Sequence, residues 1–225
     1  MPLMRAALAH TDAFLSGRAA FAPSGDAHRP WWWLPAMIVC FAPIYGGFMG
    51  SYQLDSADRI GQVVFAGVKM PLLLLATSVL CLPGFFVLNT LLGLRDDLRE
   101  ALLAILSGQA GLSIALASLA PFTRFWYVST SGYRGALLFN AAMFTLATLA
   151  GQIVMFRYYR VLIRRHRHHR ITLYAWMILY AFVGIQMGWM LRPFVGDPDL
   201  PVAFFRAEPF SNAYVVVAEL IFGMF

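Results

Sequence analysis

The sequence predicts an all-α, polytopic transmembrane helical bundle, and three observations predict it. Residues 31–50, 70–92, 102–120, 135–156 and 171–191 each hold about 20 mainly apolar residues, the length that a hydrocarbon core about 30 Å thick requires of a helix. Tryptophan and other aromatic residues gather where those runs begin or end, at Trp31, Trp32 and Trp33 and again over residues 122–127, as residues that prefer the headgroup boundary do. Arginines cluster in the connections between runs and are absent from their middles. The expected organisation is an interfacial segment and linker over residues 1–30, followed by a membrane domain over residues 31–225 with five full spans and a short C-terminal apolar segment.

Taken in order, residues 1–16 place Leu3, Met4, Ala7, Leu8, Phe14 and Leu15 at helical spacing with Arg5, His10 and Asp12 off that face. Two readings stand side by side: a helix lying in the headgroup region, and an amphipathic helix packed on the bundle. The segment lacks the continuous apolar core and small-residue cleavage pattern of a secretory signal peptide. Residues 17–30 contain Pro23, Ser24, Gly25, Asp26 and Pro30 and read as a turn-rich linker. After the first span, residues 53–59 form a polar loop. The apolar stretch from Ile60 to Leu94 would reach about 52 Å as one helix, too long for a perpendicular crossing. Lys69, Met70 and Pro71 punctuate it, so residues 60–68 read as an interfacial lead-in and 70–92 as the span, kinked at Pro83. The third span is expected to end at Pro121. The fourth runs into the most charged segment, residues 157–170, and the fifth stops at Arg192 and Pro193. Residues 213–225 would reach only about 20 Å, which leaves a half-span, an interfacial helix or a shortened sixth span open.

With 60% apolar residues in 225, little of the chain remains for a soluble module. Arginine carries the positive charge almost alone, Lys69 being the only lysine. With the Ala-, Leu- and Gly-rich background, this points to a GC-rich bacterial genome. Because the net charge of +6 is concentrated beside span ends, it argues for anionic lipid headgroups as partners and against nucleic acid. A cytoplasmic N-terminus puts eleven arginines inside (Arg5, Arg18, Arg29, Arg95, Arg99, Arg157, Arg160, Arg164, Arg165, Arg167, Arg170) and five outside (Arg59, Arg124, Arg134, Arg192, Arg206). Positive-inside bias therefore favours the cytoplasmic, inner membrane with the N-terminus in the cytoplasm. Cys40 and Cys81 fall within spans, as small apolar residues rather than a disulfide framework.

Ionisable residues inside spans are expensive and so are the first candidates for function. Lys69 and Glu219 are the two flanked on both sides by apolar sequence, and together they form a candidate intramembrane ion or proton site. The plainer reading has Lys69 snorkelling to the interface and Glu219 near a frayed terminus. Asn89, Gln109, Asn140, Gln152 and Gln186 are amides in or near spans, suited to interhelical hydrogen bonds or to a substrate path. Gly184 and Gly188 have the spacing of a helix-contact face. Arg157, Arg160, Arg164, Arg165, Arg167 and Arg170, with His166, His168 and His169 among them, form a candidate lipid-contact patch, each basic side chain gaining about 1 kcal/mol beside anionic lipid. No metal or other cofactor is expected, since the arginines repel cations from the histidines. Asp96, Asp97 and Glu100 read as a solvated loop compensated by Arg95 and Arg99. The templates G-x-S-x-G, H-E-x-x-H and G-x-x-x-x-G-K-[ST] are missing, so no catalytic residue is assigned and an enzyme is not expected.

The run Lys69-Met70-Pro71-Leu72-Leu73-Leu74-Leu75, leading to Cys81-Leu82-Pro83 and then Asn89-Thr90-Leu91-Leu92-Gly93, follows a Pro-containing first span and an N-terminal amphipathic segment. This layout, over residues 3–191, resembles uncharacterised bacterial multi-pass membrane proteins loosely related to the Yip-type family, without the acidic–aromatic signatures of its eukaryotic members. The resemblance implies a five-helix bundle that organises membrane or partner proteins without catalysis, and it transfers no binding residue. The expected role is a non-catalytic accessory or scaffolding subunit of a membrane complex or a membrane organiser, with protein partners in a complex or in a homo-oligomer. The alternative is a small transporter or channel with an intramembrane polar path.

Overall fold

A computed structural model describes residues 32–54, 59–130, 132–197 and 200–206. The interfacial segment expected over residues 1–30, the apolar segment over 213–225 and Glu219 lie outside the described residues. The described residues form five α-helices: α1 (Trp33–Gly50), α2 (Ile60–Leu91), α3 (Leu98–Ser129), α4 (Tyr133–Arg165) and α5 (His169–Met190), with a 3-10 turn over Arg95–Asp97 before α3. All five are long and apolar enough to cross a membrane. The fold is a multi-pass helical bundle. Side chains such as Val79, Leu80, Leu149, Ile153, Ile178 and Phe182 turn outward, as a bilayer-facing surface requires.

The helices do not stop at Pro71 and Pro121, the prolines expected to bound spans. α2 continues through both Pro71 and Pro83, so residues 60–68 belong to the helix and are no separate lead-in. α3 continues through Pro121 to Ser129. Proline removes one hydrogen bond from a helix, and within a bundle neighbouring groups make that loss tolerable. At 32 residues, α2 and α3 are each about 48 Å long, so they tilt or project past a 30 Å core. α4 likewise extends into the arginine segment, ending at Arg165.

Glycine sets the two closest helix contacts. A Cβ built on Gly151 would lie 2.8 Å from the Gly108 carbonyl oxygen and 2.8 Å from Leu112 Cβ, so α3 and α4 meet backbone to backbone. Gly46 and Gly50 do the same for α1 against Ala66 and Gln62 of α2. α1 also packs along α3, whereas α5 packs on α2, with Phe85 edge-on to Trp176 at 5.2 Å. Tyr45 of α1 donates to Asn140 Oδ1 of α4 at 3.0 Å, Asn140 donates to the Tyr127 hydroxyl of α3, and Tyr127 donates to the Met49 carbonyl at 3.1 Å. This chain of hydrogen bonds ties three helices together at one depth. α4 and α5 are joined by the short turn at His166 and scarcely touch elsewhere.

Candidate functional site

Because α4 and α5 part after their turn, a wedge opens between them, walled by α2 and floored by α3. The cavity there has a volume of about 530 Å³ and no charged side chain in its lining. Its wall is mainly apolar, from Met70, Leu73, Phe144, Met155 and Met177, with Thr77, Gln109, Asn140, Thr145, Thr148, Gln152 and Tyr180 as its polar members. Tyr180 of α5 spans one side, its hydroxyl reaching Gln109 Oε1 at 3.1 Å and the Leu74 carbonyl at 3.3 Å. Among the lining residues, two buried polar atoms have no partner, Thr77 Oγ1 and Gln152 Oε1. Ser78, Thr90, Thr145 and Thr148 each bond the carbonyl four residues back, which is the ordinary outlet for a helical hydroxyl. Thr77 does not take it.

Gly184 meets α2, its Cβ position lying 3.6 Å from Thr77 Cγ2, so this half of the expected helix-contact face is a contact. Gly188 is not: nothing lies within 4 Å of its Cβ position, and it lines the cavity instead. The spacing rule cannot see that α5 leans away from its neighbour one turn later. Of the amides, Asn89 bonds its own helix at Phe85, Gln109 and Asn140 bridge helices, and Gln152 faces the cavity.

The chain after α5 folds back over the wedge as a strap. Lys69 Nζ donates to the Pro193 carbonyl at 2.8 Å, and the Phe204 ring lies 4.8 Å from the same ammonium. Gln62, two turns earlier on the same face of α2, donates to the carbonyls of Pro193 and Phe194. Lys69 is fully buried. The snorkelling reading therefore gives way: the ammonium turns inward because a carbonyl and an aromatic face replace its water. Beyond the strap lies a second cavity of about 460 Å³, with Arg59, Arg192, Arg206 and Asp197 in its wall. Arg59 donates to the Asp197 carbonyl at 2.7 Å and Arg206 to its carboxylate at 3.4 Å. Consecutive residues, Pro193 and Phe194, line the two cavities from opposite sides.

At the other end of the bundle, all six arginines from Arg157 to Arg170 are exposed. Asp97 is compensated from across the bundle and not by its own loop: Arg165 reaches it at 3.2 Å, and His169 Nε2 lies 2.9 Å from its second oxygen. His169 is fully buried. Among the described residues, no group of three His, Cys, Asp or Glu side chains is placed to hold a metal ion. Cys81 is buried, whereas Cys40 faces outward.

Comparison with known proteins finds no family model, curated protein or solved structure that matches the chain.

Proposed function

We propose that this is a non-catalytic accessory protein of a bacterial inner membrane, with its arginine-rich end in the cytoplasm, which receives an apolar guest sideways from the bilayer. The supporting observation is the wedge between α4 and α5: uncharged, mainly apolar, and bounded by helices that scarcely touch. A channel needs a polar route between the two ends, and the mainly apolar wall of the wedge is poor solvation for an ion. The six exposed arginines fit anionic headgroups around the cytoplasmic rim. Extraction in a mild detergent, followed by mass spectrometry of co-purifying proteins and small molecules, tests the reading. A constant polypeptide or lipid companion supports it, and a lone protein that conducts ions in liposomes defeats it.

One observation favours the transporter reading. The strap of Pro193 and Phe194 is the partition between two cavities, and a buried lysine holds it. If the strap is a gate, Lys69→Met abolishes a flux while assembly in the membrane persists. In an accessory protein the same change leaves partner recovery within about twofold of the parent, as expected for a site away from the contact.

A further inference from the structure

We infer that the wedge is a binding site for a neutral, single-chain amphiphile bearing a hydroxyl or amide N–H, an inference that rests on the reading of the wedge as a guest site. Size comes first. The cavity, at about 530 Å³, falls within the range of small-molecule sites, about 300–1,000 Å³. Charge comes second. No Asp, Glu, Lys, Arg or His lines the cavity, so a phosphate, carboxylate or ammonium would enter without a counter-charge. Hydrogen bonding comes third. Gln152 Oε1 accepts only, so a guest that satisfies it must donate; Thr77 Oγ1 either donates or accepts. Thr77 is fully buried, and an unmatched buried polar atom is a standing penalty that a hydroxyl- or amide-bearing guest removes. The two residues line the wedge from α2 and α4, so a head group would meet either of them while its chain lies along Leu73, Phe144 and Met155. The opening between α4 and α5 lets such a molecule enter from the bilayer without crossing water.

The test uses the full-length protein in nanodiscs with a diazirine-bearing octadecanol as probe. Peptides of α2, α4 and α5 that border the cavity should carry the label, and oleyl alcohol should compete it away. A diazirine-bearing octadecane should label at least about fivefold less, as expected for one lost hydrogen bond, and oleate should compete poorly. Thr77→Val combined with Gln152→Leu should bring the alcohol down to the alkane's level. Gly188→Leu, at a position with free space around its Cβ, should block both probes while leaving the fold intact. Equal labelling by alcohol and alkane overturns this inference and spares the guest-site reading; no labelling of the wedge by either overturns both. Photo-methionine incorporated throughout the chain, including Met70, Met155 and Met177 in the wall, reports the occupant independently. Cross-links from those positions to a second polypeptide, or to residues 213–225, would overturn the amphiphile.

Discussion

α4 treats two of its neighbours oppositely. Against α3 it closes so tightly that Gly151 and Gly108 touch through their backbones. Against α5 it leaves a wedge of about 530 Å³. Glycine serves in both regions, and its meaning is reversed. At Gly151 the missing side chain is the condition for contact, whereas at Gly188 it is the condition for space. The difference teaches that a small residue in an apolar helix specifies nothing until the neighbouring helix is placed. In lipid there is no hydrophobic drive to close an unfilled gap, because lipid tails fill apolar space as readily as side chains do.

The seam is the easier of the two to break. Gly151→Leu inserts a side chain where 2.8 Å is available and should destabilise the bundle by about 3 kcal/mol, read from unfolding in mixed detergent micelles. An unchanged midpoint would mean that α3 and α4 are not in contact there. Asp97→Ala acts at the joint from which the wedge opens. It leaves the buried His169 Nε2 without its partner, and a loss of about 2 kcal/mol is expected, with Asp97→Asn recovering much of it. If both variants unfold alike, the hydrogen bond is not what holds the joint. Lys69→Met loosens the opposite end. It should alter stability by about 1 kcal/mol yet raise proteolysis within residues 192–206, and an equally protected strap would contradict the clamp. Gly188→Leu is the smallest change: within about 0.5 kcal/mol of the parent, because the added side chain enters open space. A large loss there would show the wedge to be closed in the membrane.

What the sequence discloses follows from how local the cause is. Five runs of spanning length disclose the five helices, since a bilayer constrains each helix separately. Helix ends are less legible, because prolines 71 and 121 are held by tertiary surroundings that the local pattern does not contain. Part of the strap was within reach: Gln62, Lys69 and Thr77 share one face of α2 at spacings of seven and eight, and such a polar stripe in a lipid-facing run needs a polar covering. Its covering could not be foreseen. Pro193 reads as a stop signal, and only the fold brings its carbonyl to a lysine 124 residues away. The pairing of Asp97 with His169 was hidden for the same reason, since each has nearer charges of opposite sign or similar kind in sequence. The wedge depends on the angle between two helices. No residue type encodes that angle.

The bond from Lys69 to Pro193 also sets an order of events during synthesis. Its two ends are separated by 124 residues of chain. At about 5–20 residues per second, the lysine waits roughly 6–25 s before its acceptor has even been made. Through that interval α2 is without the Pro193 carbonyl, and whatever groups the ammonium meets first must later give way to it. The Lys69 bond forms only when the polypeptide beyond α5 arrives, so the strap closes after all five described helices have been made. A nascent chain halted before residue 192 would be caught with its lysine still on those first groups.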